Sequence, residues 1–191
     1  MKFFKRIVGD RIYLSPKCTE EDAVEQYTKW MNDFEITDYT GHSGSTTTLI
    51  GERQWLEMTA KNNDNRVFDI VDLKNDKLIG TVGFDVINWV NRNAVMGIFI
   101  GDEEYRNNGY GTEAVNLLLE YGFKYLNLHS VKLELLAVNE RAHKCYLKCG
   151  FKDTGKHREE VFLNGKYYDK THMDILDSEF HGEYIRNKNI K

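Results

Sequence analysis

The chain has 191 residues, 41% of them hydrophobic and 29% charged, a balance that argues against a disordered chain and predicts one globular domain over residues 1–191. The formal net charge of −4 disfavours nucleic acid as a partner and suits a cationic one. Three cysteines are too few for a disulfide framework. The sequence shows neither a signal peptide nor a run of the roughly 18 apolar residues that span a membrane. We therefore expect a cytoplasmic protein without a membrane partner.

The first part of the chain predicts a strand followed by two helices. Residues 11–14 fit a strand that Pro16 stops, and Thr19 with the carboxylates after it suits the start of a helix. Residues 32–47 are polar and rich in turn formers, which predicts a long irregular segment. A second helix is predicted over residues 49–60.

The rest of the chain predicts a mixed α/β sheet. The expected elements are an antiparallel hairpin of residues 67–73 and 77–87, a buried central strand 94–100, a helix after a loop at 106–111, a strand 131–138, a short helix 140–149 capped by Asn139 and ended by Gly150, and a hairpin that turns at Asn164-Gly165. The helix after the loop has its apolar residues, from Ala114 to Leu126, along one face. Its crossover predicts that the flanking strands lie side by side in parallel.

The most informative segment is a strand followed by a glycine-containing loop at which a helix begins. The strand is Ile98-Phe99-Ile100, and the loop is Arg106-Asn107-Asn108-Gly109-Tyr110-Gly111-Thr112. Free N–H groups at a helix start, together with the helix dipole, form an anion site suited to a pyrophosphate, and Arg106 adds a cation. A plain strand-to-helix turn explains the glycines equally well, whereas the nucleotide-binding P-loop and dinucleotide fingerprints have a different spacing.

Two motifs together resemble the GCN5-related N-acetyltransferase (GNAT) superfamily, in the branch of ribosomal-protein N-terminal and spermidine acetyltransferases. They are Arg106-x-x-Gly109-x-Gly111 and Asn139-x-x-Ala142-x-x-x-Tyr146-x-x-x-Gly150-Phe151, and the likeness runs from about residue 11 to about residue 180. The resemblance implies the GNAT fold, a mixed sheet of about seven strands that splays at its centre. It also implies acetyl-CoA as the donor and direct attack by a primary amine, which is a polyamine, a protein N-terminus, an amino sugar or another small amine.

The resemblance implies roles for the matching residues. The backbone of Ile98-Phe99-Ile100 would hold the pantetheine arm as an added strand, and the loop 106–112 would hold the pyrophosphate. Asn139 would contact the cofactor, and Tyr146 would protonate the departing CoA thiolate. A tyrosine that merely packs in the core is the alternative for Tyr146.

The sequence departs from this branch at the position of a glutamate proposed to deprotonate the amine. Val95 stands there and cannot accept a proton, although an alkylammonium with a pKa of about 10 must lose one before it attacks. The base is therefore left unassigned, with Asp85, Glu134, His129 and residues of 32–47 as candidates. The missing glutamate also keeps a non-catalytic acyl-CoA-binding regulatory protein as the alternative function.

The acceptor side is indicated by clustered carboxylates and aromatic rings, which suit an ammonium group. The candidates are Asp33, Glu35, Tyr39 and Asp85. A solvated surface loop explains those of residues 32–47 as well.

Neither a metal nor a thiol nucleophile is predicted. The six histidines are scattered, and Cys145 and Cys149 lack further ligands at zinc-site spacing and fit buried structural positions. Edge strands and the late hairpin favour a homodimer.

Overall fold

The computed structural model describes residues 1–62, 64 and 66–188, and these form eight strands and five α-helices. The strands are β1 (Ile7–Val8), β2 (Ile12–Pro16), β3 (Arg66–Asp72), β4 (Leu78–Asn88), β5 (Asn93–Ile100), β6 (Ser130–Leu136), β7 (Lys152–Leu163) and β8 (Lys166–Leu176). The helices are α1 (Glu21–Trp30), α2 (Phe34–Thr40), α3 (Leu49–Lys61), α4 (Tyr110–Lys124) and α5 (Glu140–Lys148). All strands belong to one sheet in the order β1-β2-β3-β4-β5-β6-β8-β7.

The predicted mixed α/β sheet is confirmed, with eight strands rather than about seven. Neighbouring strands are antiparallel except β5 and β6, which are parallel because α4 makes the crossover between them. The additional strand is β1, which has two residues and pairs with β2. Pro16 is the last residue of β2 and does not stop the strand before it, because its missing N–H costs nothing at a strand end.

The segment predicted to be irregular, residues 32–47, contains the helix α2. The Asp33 side chain caps this helix by accepting a hydrogen bond from the N–H of Glu35 at 2.9 Å, and Gly41 ends it with a left-handed φ of 79°. Both signals are present in the sequence, but seven mostly polar residues give too little periodicity to reveal a helix between them. At the start of α1, Glu20 and not Thr19 is the cap residue, and its side chain makes no cap hydrogen bond.

Turn and cap predictions in the second half are confirmed. Asn139 accepts a hydrogen bond from the N–H of Ala142 at 3.1 Å and so caps α5, while Gly150 follows the helix with a φ of 94°. Asn164 and Gly165, at the tip of the last hairpin, both have the positive φ of a type I′ turn.

Helix α4 is buried all round, not along one face as predicted, and it ends before Leu126. Every residue from 114 to 123 is buried, because the sheet covers one side and the C-terminal segment covers the other. Glu120 accepts hydrogen bonds from the N–H groups of Tyr184 and Ile185 in that segment. None of the described helices, α4 included, has both the length and the apolar content needed to cross a bilayer.

The sheet splays at its centre, between β5 and β6. Strand β5 pairs with β4 along the whole length of β5, from Asn93 to Ile100. Strand β6, on the other side, pairs only with Asn93, Ala94 and Val95 of β5. Strand β5 is consequently half-buried over residues 97–100 and is not the fully buried central strand that its apolar run predicts. The divergence opens a cleft in the middle of the fold.

Candidate active site

The cleft between the diverging strands has a volume of about 1200 Å³. It brings both sequence motifs together with the segment that links α1 to α3. The predicted site residues that line it are Glu35, Tyr39, Asp85, Ile98, Phe99, Ile100, Arg106, Asn107, Gly109, Gly111, Thr112, Asn139 and Tyr146. Four other candidates do not line the cleft: Asp33, Asn108, Tyr110 and the candidate base His129.

One wall of the cleft is an open strand edge. Beyond Val95, the side of β5 that faces β6 has no strand partner in the part of the chain that the structure describes. Its exposed main-chain groups suit an extended ligand with amide groups, which can add to the sheet as a further strand. The pantetheine arm of CoA is such a ligand.

The glycine-containing loop ends at an uncapped helix start. Asn107 and Gly109 have left-handed φ values of 61° and 83°, and Gly109 is the cap residue of α4. Because glycine has no side chain, it satisfies none of the free N–H groups in the first turn of the helix. These N–H groups and the positive end of the helix dipole fit a diphosphate.

The side chain of Arg106 stabilises the loop through hydrogen bonds and an ion pair. Its guanidinium donates to the main-chain oxygens of Ile100 at 3.1 Å and Gly101 at 2.8 Å, and it pairs with Glu35 at 3.1 Å. The group is only 10% exposed. A contact between this guanidinium and a pyrophosphate therefore stays a prediction.

A second arginine beside the loop was missed by the sequence reasoning. Arg11 donates to the main-chain oxygen of Asn108 at 2.9 Å, lies over the Tyr110 ring at 4.4 Å and pairs with Glu113 at 2.9 Å. It comes from the turn between β1 and β2, about 100 residues before the loop. No local motif marks such a contact in the sequence.

Helix α5 places Tyr146 on the wall of the cleft. The side chain is 8% exposed and packs edge-to-face on Phe151, with 5.8 Å between ring centroids. Burial raises the pKa of Tyr146, and the neighbouring thiols of Cys145 and Cys149 raise it further. The phenol therefore stays protonated at neutral pH and can act as a proton donor.

The two cysteines of α5 have different surroundings. Cys149 is buried as predicted, whereas Cys145 is half-buried and lines the cleft with its Sγ 3.2 Å from the hydroxyl of Thr112. A hydrogen bond from Cys149 lowers the pKa of Cys145. The thiol lies beside the start of α4, where the loop would hold the cofactor.

A β-bulge turns Asp85 into the cleft. Phe84 pairs with Met96 and Val86 pairs with Val95, so that Asp85 is the extra residue of β4. Its Oδ2 lies 2.8 Å from the point that a Cβ on Gly97 would occupy, and it fills the space that this glycine leaves. Asp85 is exposed to solvent within the open cleft. Partial desolvation by the surrounding protein still raises the pKa of Asp85, while His42 lowers it.

Glu52 was also missed by the sequence reasoning. It lies on α3, is 5% exposed, lines the cleft and has an Oε1 atom without a hydrogen-bond partner among residues 1–62, 64 and 66–188. Burial raises the pKa of Glu52, and nearby Lys17 lowers it. Lys17 is itself held by Asp69 at 2.8 Å. An unpaired carboxylate in a buried position is costly unless a cationic ligand meets it.

The cleft combines an open strand edge, an uncapped helix start and a protonated tyrosine. These features suit an acyl-CoA thioester and indicate the class of CoA-dependent acyltransferases. The family model for the acetyltransferase (GNAT) domain matches residues 11–152, and the chain belongs to this family. The resemblance predicted from the two motifs is thereby confirmed.

Individual relatives agree with this assignment. A spermidine N(1)-acetyltransferase of Vibrio cholerae is 36% identical over 62% of this chain and 67% of its own length. An uncharacterised N-acetyltransferase of Bacillus subtilis is 30% identical over 91% of this chain and 97% of its own length. The crystal structure of a Vibrio cholerae spermidine N-acetyltransferase with CoA and spermine superposes with a TM-score of 0.79 and 28% identity, and covers 88% of this chain and 97% of that one.

The protein is therefore an N-acetyltransferase that uses acetyl-CoA as its acetyl donor and an amine as its acceptor. The relatives favour this activity over the alternative of a non-catalytic acyl-CoA-binding regulator.

Proposed function

We propose that the enzyme acetylates a primary amine of a linear polyamine of the spermidine type, with Asp85 as the base and Tyr146 as the acid. The observation that carries this proposal is the unpaired, buried carboxylate of Glu52 in a cleft that already holds a second carboxylate at Asp85. One ammonium group needs one carboxylate. A separate carboxylate deeper in the same cleft suits an acceptor with more than one positive charge.

We infer that the charges of the cleft are divided between an acceptor side and a cofactor side. Its acidic lining residues are Glu35, Asp38, Glu52, Asp85, Glu134 and Glu160. Arg106 offsets Glu35, and Lys170 is shared between Glu134 and Glu160 at 3.0 Å from each. The remaining basic lining residues, Arg141, Lys144 and Lys148, all lie on α5, next to the phosphate-binding loop. This separation suits an anionic cofactor at one end and a cationic acceptor at the other.

Acetyl transfer needs one proton acceptor and one proton donor. In the proposed reaction, Asp85 removes a proton from the acceptor ammonium, and the free amine then attacks the thioester carbonyl. A C–N bond forms, the C–S bond breaks, and Tyr146 gives its proton to the departing thiolate. The second proton, which the nitrogen loses as the amide forms, restores the phenol. The open edge of β5 and the start of α4 position the donor for this attack.

The Vibrio cholerae matches support the choice of acceptor, because the curated relative is a spermidine N(1)-acetyltransferase and the crystal structure of a spermidine N-acetyltransferase contains spermine. Tyr39 supports it too, because its half-exposed ring lines the acidic end of the cleft and can contact an ammonium group. Glu35 and Asp33 have other partners. Glu35 is engaged by Arg106, and Asp33 caps α2.

The acceptor assignment is tested by thiol release from acetyl-CoA with four amines: spermidine, butylamine, a peptide with a free N-terminus and glucosamine. We expect kcat/KM for spermidine to exceed that for butylamine by at least about tenfold, because a second charge–carboxylate contact is worth more than about 1.4 kcal/mol in this cleft. Glu52→Gln should raise KM for spermidine and leave the value for butylamine nearly unchanged.

Glu57→Gln is the matched control, because Glu57 lies on the same helix but is exposed and pairs only with Lys61 among the described residues. It should leave both acceptors unaffected. The polyamine would be excluded as the acceptor if the enzyme preferred the peptide or the sugar, or if the two substitutions had equal effects. Neither result would contradict the acetyltransferase activity itself.

The homodimer and the cytoplasmic location stay predictions. The exposed rings of Phe162 and Tyr167, 5.1 Å apart near the tip of the edge hairpin β7–β8, support the first. Free thiols at Cys18, Cys145 and Cys149 support a reducing compartment.

A further inference from the structure

Two histidines and one glutamate converge at the rim of the cleft, on the last two strands. His157 and Glu160 belong to β7 and His172 to β8, and the potential ligand atoms of all three lie within 4.8 Å of one another. His157 Nδ1 is 2.8 Å from Glu160 Oε2, and His172 Nε2 is 3.9 Å from the same oxygen. The imidazole ring centroids are 4.3 Å apart.

A large β-bulge creates this convergence. His157 pairs with Lys170 and Val161 pairs with Tyr168, so three residues of β7 face one residue of β8. The bulge includes Glu159 with a positive φ of 52°, and its N–H is held by the Asp169 carboxylate at 3.0 Å. Backbone in this uncommon conformation often marks a functional position, because the surrounding structure must hold it there.

One ligand atom of the cluster is buried without a partner. His172 Nε2 is inaccessible to solvent and makes no hydrogen bond within the described part of the chain. On the other side of the ring, Nδ1 faces Glu134 Oε1 at 3.5 Å. A histidine backed by a carboxylate on one nitrogen, with its second nitrogen free, has the arrangement of a metal ligand.

We propose that His157, Glu160 and His172 bind a divalent transition metal ion of the zinc type. Two imidazoles and one carboxylate form a donor set that such ions prefer, and the remaining coordination positions are left to water. Ligand atoms around a tetrahedral zinc ion are roughly 3.3 Å apart, so only small side-chain movements are needed. Lys170 holds the other oxygen of Glu160 at 3.0 Å and leaves Oε2 for the ion.

The sequence pattern did not reveal this site. His157 and Glu160 are three residues apart, but His172 is 15 positions from His157 and on the next strand. The register of the hairpin and its bulge, and not the spacing of the residues along the chain, bring the three together.

The site shares Glu160 with the lining of the acceptor cleft. A bound dication adds positive charge at the rim, where a cationic acceptor would enter. Metal and acceptor should therefore weaken each other's binding, and by linkage the effect must be reciprocal. This consequence rests on the proposed polyamine acceptor, whereas metal binding itself does not.

The experiment is a titration of tag-free protein with Co²⁺, followed by visible absorption, and with Zn²⁺, followed by calorimetry. We expect one ion per chain and a Co²⁺ spectrum without thiolate charge-transfer absorption. His157→Ala should weaken binding at least about tenfold. His143→Ala is the matched control, because His143 also contacts a carboxylate, Asp153 at 2.9 Å, but belongs to no group of three such ligands in the described part of the chain.

Unchanged metal affinity in His157→Ala would overturn the site. So would binding that disappears in Cys145→Ser, which would assign the ion to the thiols of α5. In a kinetic arm, Zn²⁺ should raise KM for spermidine in the wild type and not in His157→Ala. Intact metal binding without that rise would overturn the coupling to the acceptor cleft.

Discussion

In the proposed mechanism, Asp85 takes the role of the glutamate that the sequence lacks. Val95 stands where the resemblance to the acetyltransferase branch places that glutamate, and Asp85 enters the cleft from the neighbouring strand, next to Gly97. Gly97 leaves room for this carboxylate, because a Cβ at position 97 would lie 2.8 Å from Oδ2 and the Asp85 side chain would have to move. The proposed base is thus supplied by a bulge rather than by a residue at the matching position.

Asp85→Asn should lower kcat about 10²- to 10⁴-fold, the range typical of a lost general base, without changing acetyl-CoA affinity. Because the base acts when deprotonated, the rate should rise with pH as Asp85 loses its proton. The pKa of Asp85 is raised, so this rise should lie above the pH range of an ordinary aspartate. In Asp85→Asn, this rising limb should be absent from the pH profile of kcat/KM.

Tyr146→Phe is the companion variant for this profile. It removes the proposed proton donor but keeps the ring that packs on Phe151. Its rate should fall while the limb assigned to Asp85 remains. A pH profile identical in the wild type and in Asp85→Asn would remove Asp85 from the mechanism.

Among the secondary-structure elements, α4 is the one on which both the site and the core depend. Its first turn has free N–H groups that we propose bind the cofactor, and its later turns are buried between the sheet and the C-terminal segment. Glu120 links α4 to the C-terminal segment. Its carboxylate accepts hydrogen bonds from the N–H groups of Tyr184 and Ile185 and pairs with the ammonium of Lys188 at 3.1 Å. The carboxylate is fully buried, so its partners decide whether the segment stays docked.

The docking of this segment should depend on pH. Burial raises the pKa of Glu120, but the two N–H donors and Lys188 outweigh burial, and the net shift is downward. A lowered pKa contributes stability that is complete above the pKa of an unfolded glutamate, about 4.3, and is lost as pH falls through the folded value. Glu120→Gln should cost about 1.5–3 kcal/mol at pH 7, because charged hydrogen bonds are replaced by neutral ones.

Urea unfolding from pH 7 to pH 3.5 measures this effect. The wild type should lose more unfolding free energy over that range than Glu120→Gln, whose position 120 no longer titrates. Glu140→Gln, in an exposed pair with Lys144, should change the unfolding free energy by no more than about 0.5 kcal/mol at either pH. Parallel pH curves for wild type and Glu120→Gln would contradict the assignment.

On the scale of the whole molecule, the chain carries a net charge of −4. Side chains of both signs line the cleft: the basic residues Arg141, Lys144 and Lys148 lie on α5, and the proposed acceptor contacts Glu52 and Asp85 lie on α3 and β4. A cleft with walls of one sign concentrates ligands of the opposite sign. This attraction acts over several ångströms and therefore depends on the salt concentration.

Raising NaCl from about 0.1 M to 1 M shortens the Debye length from about 10 Å to about 3 Å. We expect kcat/KM for spermidine to fall at least severalfold over this range, because three ammonium groups are attracted to the cleft, and the value for butylamine to fall much less. Sodium sulfate at matched ionic strength controls for an effect of chloride. Equal salt dependence for the two amines would show that long-range attraction does not select the acceptor.

The sequence alone determined the order of the main elements, the glycine-containing loop at the start of α4, the cap of α5 and the family. These features depend on residues a few positions apart: a glycine at a helix start, an asparagine before a helix, an Asn-Gly turn. The short helix α2 was missed although Asp33 and Gly41 mark its ends, because its seven residues are mostly polar.

Only the tertiary structure decided which acidic and basic side chains share the cleft. Asp85 faces Gly97 through a bulge, Glu52 is buried on a helix that looks ordinary in the sequence, and Glu160 meets His172 across two strands. Strand register and bulges are properties of paired segments, and burial depends on what packs against a side chain. Neither property can be read from the residues that carry it.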